Sequence, residues 1–191
     1  DDIDFATGEN HANGVAAGNA ECTMCHASGE LRADEAHRQL ELAAAGAFRF
    51  NILGVTDTAA GQRPAVRFSV TNPAAGNAPY NIRTDAPFTG SSSAVNINLA
   101  WPALEISNLD SGSGTPTGAP AQPVRINALT LATANGDGSY TARASTAVPA
   151  SVTGSGIASL EGRTAVDVNS DGSAERIPVR GTSTFFAITG T

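Results

Sequence analysis

The chain has 191 residues, 41% of them hydrophobic, which allows one folded domain or a small segment joined to one domain. Its formal net charge of -7 argues against a nucleic-acid partner, because the phosphates would repel it. The sequence contains no run of about twenty apolar residues, so no transmembrane segment is predicted.

The N-terminal part of the chain differs from the rest, because it holds both cysteines and all three histidines. It also contains one predicted helix, LRADEAHRQLELAAA, which carries acidic residues early and is followed by Gly46 as a C-terminal stop. The helix is expected over Leu31 to Ala45. Spacing of three and four residues puts one set of side chains on a common face, apolar except for a histidine. The set is Ala33, His37, Leu40 and Ala44.

From Ala47 onward, apolar residues alternate with polar ones, as in strands that bury one face. Clusters of Pro, Gly, Asn and Asp separate the alternating runs. The pattern predicts about seven short strands in an antiparallel β-sandwich or split β-barrel, so the fold class is mainly β. The predicted strands are AFRFNI, AVRFSV, VNINLAW, VRINALTLA, SYTARAS, IASLEGRTAVDV, and AERIPV followed by TSTFFAI.

Two connections between these runs have distinct compositions. SGSGTPTGAPAQP, from Ser111 to Pro123, is too rich in Gly and Pro for a strand and predicts a long exposed loop. ANGDG, residues 134 to 138, predicts a hairpin turn.

Trp101, at the end of its predicted strand, is interpreted as a core or inter-sheet residue rather than as a stacking platform for a flavin.

The stretch VDVNSDGSAER has the alternate spacing of a calcium loop, with Asp167, Asn169, Asp171 and Gly172 in sequence. An EF-hand would have glutamate at the twelfth position, where this chain has Pro178. Calcium binding by the two aspartates and the asparagine is therefore a secondary expectation. The competing interpretation is a hairpin turn with the glycine in a left-handed conformation.

The pentapeptide CTMCH, residues 22 to 26, contains both cysteines, the only methionine and one histidine. Cys-x-x-Cys-His is the attachment signature of c-type haem. Two cysteines separated by two residues can reach the two vinyl groups on one edge of the porphyrin, and the next histidine falls under the iron. We assign Cys22 and Cys25 to the haem thioethers and His26 to the proximal axial position.

Other chemistry for the same cysteines fits less well. A thioredoxin-like pair follows a strand, whereas GENHANGVAAGNAE before Cys22 has the composition of a loop. A structural zinc site takes four ligands, and the adjacent Cys25 and His26 make an awkward tetrahedron. A disulfide across two residues would be strained.

The distal side of the iron has two candidate ligands. Met24 lies inside the attachment loop, on the wrong side to reach the iron. His37 is presented on the apolar face of the predicted helix, and His11 lies in a glycine-flanked loop that could fold over the ring. Two neutral imidazoles would give low-spin, six-coordinate iron, which transfers electrons and offers no site for a substrate.

The chain resembles the OmcA/MtrC family of outer-membrane decahaem c-type cytochromes over nearly its whole length. The resemblance includes the single haem motif between DDIDFATGENHANG and ADEAHR. It continues through the β part. The stretches there are FRFNILGV, VRFSVTNP, the pair WP at Trp101 and Pro102, DGSYTA, SVTGSGIASLEGR, and VDVNSDGSAERIPV with FFAIT.

The resemblance implies that the chain is a fragment, with the last haem segment of a first pentahaem module and the split β-barrel domain that follows. The parent protein would be an electron carrier rather than an enzyme, with weak metal-reductase activity at most. Its partners would be other haem domains or redox proteins, with ferric minerals or flavins as extracellular acceptors. Its location would be extracellular, at the outer-membrane surface, or periplasmic. The distal histidine of one haem can come from beside another motif, and we favour His37, with His11 as the alternative.

These observations predict a c-type haem segment over residues 1–46 and an antiparallel β domain over residues 47–191. The expected function is electron transfer by one haem c, with iron held by His26 and His37. Two other functions stay open. One is a β-sandwich binding or adhesion module with a vestigial haem segment, and the other is a calcium-stabilised domain of the surface-layer type.

Overall fold

The computed structural model describes Thr7, residues 39–101 and residues 123–188. The chain divides into two compact units, Asp1–Gln39 and Leu40–Thr191. The elements given below belong to the second unit. The expected change from haem segment to β domain between residues 46 and 47 stays a prediction.

The described elements are mostly strands. Helix α1 spans Leu40–Ala45, α2 spans Ala86–Thr89 and α3 spans Ala128–Leu131, with one turn of 3-10 helix at Pro73–Ala75. The strands are β1 (Arg49–Thr56), β2 (Ala65–Asn72), β3 (Ala78–Pro79), β4 (Ala94–Ala100), β5 (Val124–Asn127), β6 (Thr133–Ala134), β7 (Tyr140–Arg143), β8 (Gly154–Val166) and β9 (Glu175–Ile188).

Helix α1 is the described end of the predicted helix. Its last turn closes with Gly46, whose N–H donates to the Ala43 carbonyl oxygen at 3.2 Å. Leu40 and Ala44 are half-buried and residues 41–43 are exposed, as the predicted common face requires. Residues 31–38 of the prediction lie outside the described residues.

The strands form two antiparallel sheets. The first has the order β1-β2-β7-β6, with β3 also paired to β2, and the second has the order β5-β4-β8-β9. Every described pairing is antiparallel. The predicted mainly β fold with an antiparallel sandwich is therefore confirmed.

The core lies between the sheets and follows the period of two. Val66, Phe68 and Val70 of β2 are fully buried. The second sheet buries Val95, Ile97 and Leu99 of β4, which is central in its sheet. Alternate side chains of a strand point to the same face, so each strand contributes one complete apolar row. Burial of each large side chain stabilises the fold by about 1.5–3 kcal/mol. Trp101 is half-buried and packs against this core, as predicted.

Strand β9 is continuous, although its sequence predicts two separate segments. Its residues Val179 and Thr182 pair with Gly162 and Leu160 of β8, so Arg180–Gly181 lies opposite a single residue. This bulge moves the buried side chains from odd to even positions. Ile177 and Val179 are buried before the bulge, and Phe186 and Ile188 are buried after it.

The prediction of a strand throughout VRINALTLA was wrong in its second half. Strand β5 ends at Asn127, and the next four residues form helix α3. Alanine and leucine favour helix, and the Thr130 hydroxyl donates to the Asn127 carbonyl oxygen at 3.2 Å. The short helix buries Ala128 and leaves Leu131 exposed.

The predicted hairpin at ANGDG is confirmed. It joins β6 to β7, with Gly136 and Gly138 at φ 86° and 81°, conformations that favour glycine. The Asn135 N–H donates to the Ser139 carbonyl oxygen at 2.9 Å and closes the turn. Of the predicted loop from Ser111 to Pro123, only the final proline is described.

Candidate functional site

The predicted haem site lies outside the described residues. This applies to both thioether cysteines, to the proximal ligand and to both distal candidates, so the assignments stay predictions. These residues are Cys22, Cys25, His26, His37 and His11.

The predicted calcium loop forms the turn between β8 and β9. Oxygen atoms of Asp167, Asp171 and Glu175 lie within 4.8 Å of one another. The sequence interpretation named the first two and Asn169, but it missed Glu175. Its position in the sequence could have indicated it. If the calcium loop begins at Asp167, Glu175 is its ninth residue, and the ninth residue of such a loop often binds calcium through a water molecule.

Hydrogen bonds within the turn account for the positions of these side chains. The Asp167 carboxylate accepts from the N–H groups of Asp171 and Gly172, at 3.1 and 2.9 Å. The Asn169 amide oxygen accepts from the same Asp171 N–H at 3.1 Å, and Glu175 accepts from the Val168 N–H at 3.0 Å. Gly172 has a φ of 89°, so the predicted left-handed hairpin turn is confirmed. Calcium binding stays a prediction.

A second candidate feature lies where the two sheets meet. Strand β1 is at the edge of the first sheet, β9 is at the edge of the second, and the two lie side by side without a described ladder between them. Two grooves follow this line. The α1 groove has a volume of about 740 Å³ and is lined by α1, the start of β1 and residues 180–183. The Phe185 groove has a volume of about 390 Å³ and is lined by residues 52–55 and 184–187, with Thr58. Together the two grooves form the β1–β9 seam.

Each strand of the seam carries a bulge. In β1 the register passes from Ile52 opposite Phe68 to Gly54 opposite Arg67, so Leu53 has no partner residue. In β9 the bulge is at Arg180–Gly181. Bulges turn side chains out of the alternating pattern and interrupt the edge of a sheet. As a result, Leu53 and Arg180 are exposed, and they line the seam.

An aromatic cluster surrounds Phe48, which lines the α1 groove. The Phe48 and Tyr80 rings stack with centroids 5.1 Å apart, and both contact Phe88 edge-on. The Tyr80 hydroxyl donates to the Ala47 carbonyl oxygen at 3.2 Å. Burial raises the pKa of Tyr80 above its ordinary value, and the Asp85 carboxylate raises it further. The phenol therefore stays neutral and links the start of β1 to the first sheet's connecting loops.

A polar cluster stands at the β6–β7 turn. Ser139 donates to the Asp137 carboxylate through its hydroxyl at 2.5 Å and its N–H at 3.0 Å, and Arg67 of β2 pairs with the same carboxylate. The two bonds from Ser139, followed by Arg67, lower the pKa of Asp137 to about 2. The Arg67 Nε donates to the Ser139 hydroxyl at 3.1 Å. The serine hydroxyl is thus committed to the carboxylate, and the cluster holds the turn on β2.

Comparison with known proteins gives a structural match. No protein-family model matches the chain, and no curated protein matches it. The crystal structure of MtrC from Shewanella baltica OS185 is similar to this chain, with a TM-score of 0.55 and 16% sequence identity. The similarity covers 99% of this chain and 31% of that one. The chain has the fold of part of MtrC.

The match to MtrC concerns the fold. It agrees with the architecture that the family resemblance implies. At 16% sequence identity, a structural match establishes the fold and not membership of the family. The chain spans about a third of the length of the MtrC chain. Within the described residues, no helix is both long enough and apolar enough to cross a membrane.

Proposed function

We propose that the chain is an electron-transfer module that carries one covalently attached haem c. The observation that carries the proposal is the presence, in one chain, of CTMCH and of a fold shared with MtrC over 99% of its length. Cys22 and Cys25 would form the thioethers, and His26 would be the proximal ligand. The bound haem would supply a one-electron ferric–ferrous couple.

For the distal ligand, we favour His37 and keep His11 as the alternative. The sixth ligand decides whether the iron has an open position. With a second imidazole the site would exchange electrons and bind no substrate, which makes the chain a carrier rather than an enzyme. The protein's part would be to bind the ring, set its potential through ligands and burial, and place its edge near the next carrier.

We further propose that the chain acts within a larger multihaem cytochrome of the OmcA/MtrC family. Two facts support this. The chain spans 31% of the MtrC chain, and it contains one haem motif, which is too few to conduct electrons over a distance. Neighbouring haem domains or redox proteins would be the direct partners. Ferric minerals or flavins outside the cell would be the final electron acceptors. The chain itself would lie outside the cell at the outer-membrane surface, or in the periplasm.

A binding role for the β domain is a second candidate, and the β1–β9 seam favours it. The two grooves expose apolar side chains that the core does not use. In this alternative, the haem segment would be vestigial and the domain would dock a partner.

The test is to produce the chain with the haem-maturation machinery and measure its intact mass and optical spectrum. We expect the mass of the polypeptide plus one haem, and sharp reduced α and β bands. Replacing both cysteines by serine is the control and should give the bare polypeptide mass. A wild-type protein at that bare mass would refute the proposal.

The distal ligand is tested separately, in holo-protein that has already passed the mass test. His37→Ala should convert the haem to a high-spin form that binds carbon monoxide, whereas His11→Ala should leave the spectrum unchanged. The reverse result would assign the distal position to His11. A high-spin wild-type haem would contradict two-histidine ligation.

A further inference from the structure

The β1–β9 seam combines exposed apolar side chains with positive charge. We propose that it binds an extended segment of a partner protein that carries acidic and large apolar side chains. The proposal rests on described residues of the second unit, so it does not depend on haem attachment.

The apolar part of the argument is the location of the exposed side chains. Four large apolar residues are exposed among the described residues, and three of them line the seam. Leu42 is 68% exposed in the α1 groove, and Leu53 and Phe185 are 52% and 76% exposed in the Phe185 groove. The fourth, Leu131, lies in α3. Single exposed apolar residues are ordinary, but their concentration along one line marks an interaction surface.

The positive charge of the seam favours an acidic partner. The chain has a net charge of -7, yet among the described residues no aspartate or glutamate lines either groove. Arg49 and Arg180 line the α1 groove. The Arg49 guanidinium donates to the Asn77 amide oxygen at 3.3 Å, and Arg180 forms no ion pair with a described residue. An acidic segment would pair with these arginines, and a basic segment would be repelled.

The shape of the seam favours an extended segment over a compact ligand. The two grooves lie one after the other along β1 and β9, from α1 to Phe185. The seven residues from Arg49 to Val55 span roughly 20 Å at about 3.3 Å per residue. Because β1 and β9 already lie side by side, the partner would lie over the cleft rather than enter as a new strand. Its acidic residues would face the α1 groove, and its apolar side chains would face Phe185.

The test uses a fluorescein-labelled peptide of about eight residues, with glutamates in one half and leucines in the other, a length that covers the seam. Binding to the whole chain is measured by fluorescence anisotropy at low salt. We expect saturable binding that weakens as salt is added, and no binding of the matching lysine–leucine peptide. Arg180→Glu and Phe185→Ser should each weaken binding by about tenfold, because they remove the charge and the apolar contact in turn.

Matched controls come from the same protein. Arg176→Glu changes an exposed arginine of the same strand outside both grooves, and Leu131→Ser changes an exposed leucine outside the seam. Both should bind as the wild type does, and circular dichroism should show all four variants folded.

Three results would overturn the proposal. The first is no binding of the acidic peptide, and the second is equal binding of the lysine peptide. The third is a dimer in sedimentation that Arg180→Glu abolishes, because this would give the seam to a second copy of the chain.

Discussion

Gly162 of β8 lies directly against the backbone of Ala94 in β4. A Cβ atom placed on Gly162 would be 2.1 Å from the Ala94 carbonyl oxygen, a distance that real Cβ contacts do not reach. The neighbour is backbone in a central strand of the second sheet, so it cannot turn away as a side chain could. We expect Gly162→Ala to lower the free energy of unfolding by about 3 kcal/mol, measured by urea denaturation.

Gly54 is the matched control for this substitution. It also lies in a strand beside a bulge, but a Cβ there would meet no atom within 4 Å, and its φ is not positive. Gly54→Ala should change the free energy of unfolding by less than about 1 kcal/mol. Similar losses in both variants would mean that the close approach of β4 and β8 is not the cause.

Thr164 carries a hydroxyl that the fold does not use. The side chain is fully buried in β8, and its Oγ1 atom has no hydrogen-bond partner in the part of the chain that the structure describes. A buried hydroxyl without a partner loses its hydration and gains nothing in return. Thr164→Val keeps the shape of the side chain, so it should raise the free energy of unfolding by about 1 kcal/mol.

Thr141→Val provides the comparison, because the Thr141 hydroxyl donates to the Asn135 amide oxygen at 3.1 Å. It should be neutral or slightly destabilising, since the bond is exposed. Destabilisation by Thr164→Val would show that its hydroxyl does have a partner in solution. Urea unfolding of both variants at neutral pH decides the matter.

The sequence predicted the strands wherever one face is buried in a regular row. Val66, Phe68 and Val70 alternate without interruption, and the structure buries all three. The period of two was a sufficient signal there, because each such strand packs one face on the opposite sheet. The antiparallel sandwich followed from the number of strands and from the turn signals between them.

The prediction failed where tertiary contacts changed the pattern. In β9 the bulge at Arg180–Gly181 exchanges the two faces, so one strand was interpreted as two segments. After β5, Ala128 and Leu131 fit either a strand or a helix, and burial of the alanine in a short helix decided the outcome. Neither the bulge nor the helix can be seen in a short window of sequence, because both depend on neighbouring strands.

The haem site could be predicted from the sequence, whereas the β1–β9 seam could not. The haem assignments come from a local motif, CTMCH, whose chemistry is complete in five residues. The seam has no motif, because it brings together residues from α1, β1 and β9 that are about 130 residues apart in the chain. Leu53 directly follows a predicted strand and Phe185 lies within one, and neither had a further signal in the sequence.

The Asp167 carboxylate supports the β8–β9 turn through two backbone N–H groups, at 3.1 and 2.9 Å. We expect Asp167→Ala to lower the free energy of unfolding by about 1 kcal/mol in EDTA, much as the loss of a helix cap does. Asn169→Ala should lower the free energy of unfolding by less, because the Asp171 N–H that loses Asn169 as an acceptor still has Asp167. Equal stability of wild type and Asp167→Ala in EDTA would contradict this role.

The same two proteins also test the calcium prediction. A ligand that binds only the folded state raises the melting temperature as its concentration increases. If the turn binds calcium, the wild type should melt at a higher temperature in calcium than in EDTA, and Asp167→Ala should show a smaller rise or none. Identical melting of the wild type in both solutions would remove calcium from this turn.

The acid stability of the protein should depend on Asp137. Its pKa is lowered from 3.8 to about 2, chiefly by the two hydrogen bonds from Ser139 and then by Arg67. Because the folded-state pKa lies below the unfolded one, the charged carboxylate stabilises the folded state. This contribution is complete above pH 3.8 and is lost as the pH falls through about 2. The unfolding free energy of Asp137→Asn should therefore fall less steeply than that of the wild type across this interval.

An NMR titration of the carboxyl carbon checks the cause. Ser139→Ala removes the hydroxyl that donates at 2.5 Å, so the pKa of Asp137 should rise toward its ordinary value while the pairing with Arg67 remains. The Arg67→Gln variant should also raise it, because the hydrogen bond and the charge of the arginine both lower the pKa of Asp137. A wild-type midpoint near 3.8 would show that the carboxylate does not accept these bonds in solution, and the turn would then owe nothing to its charge.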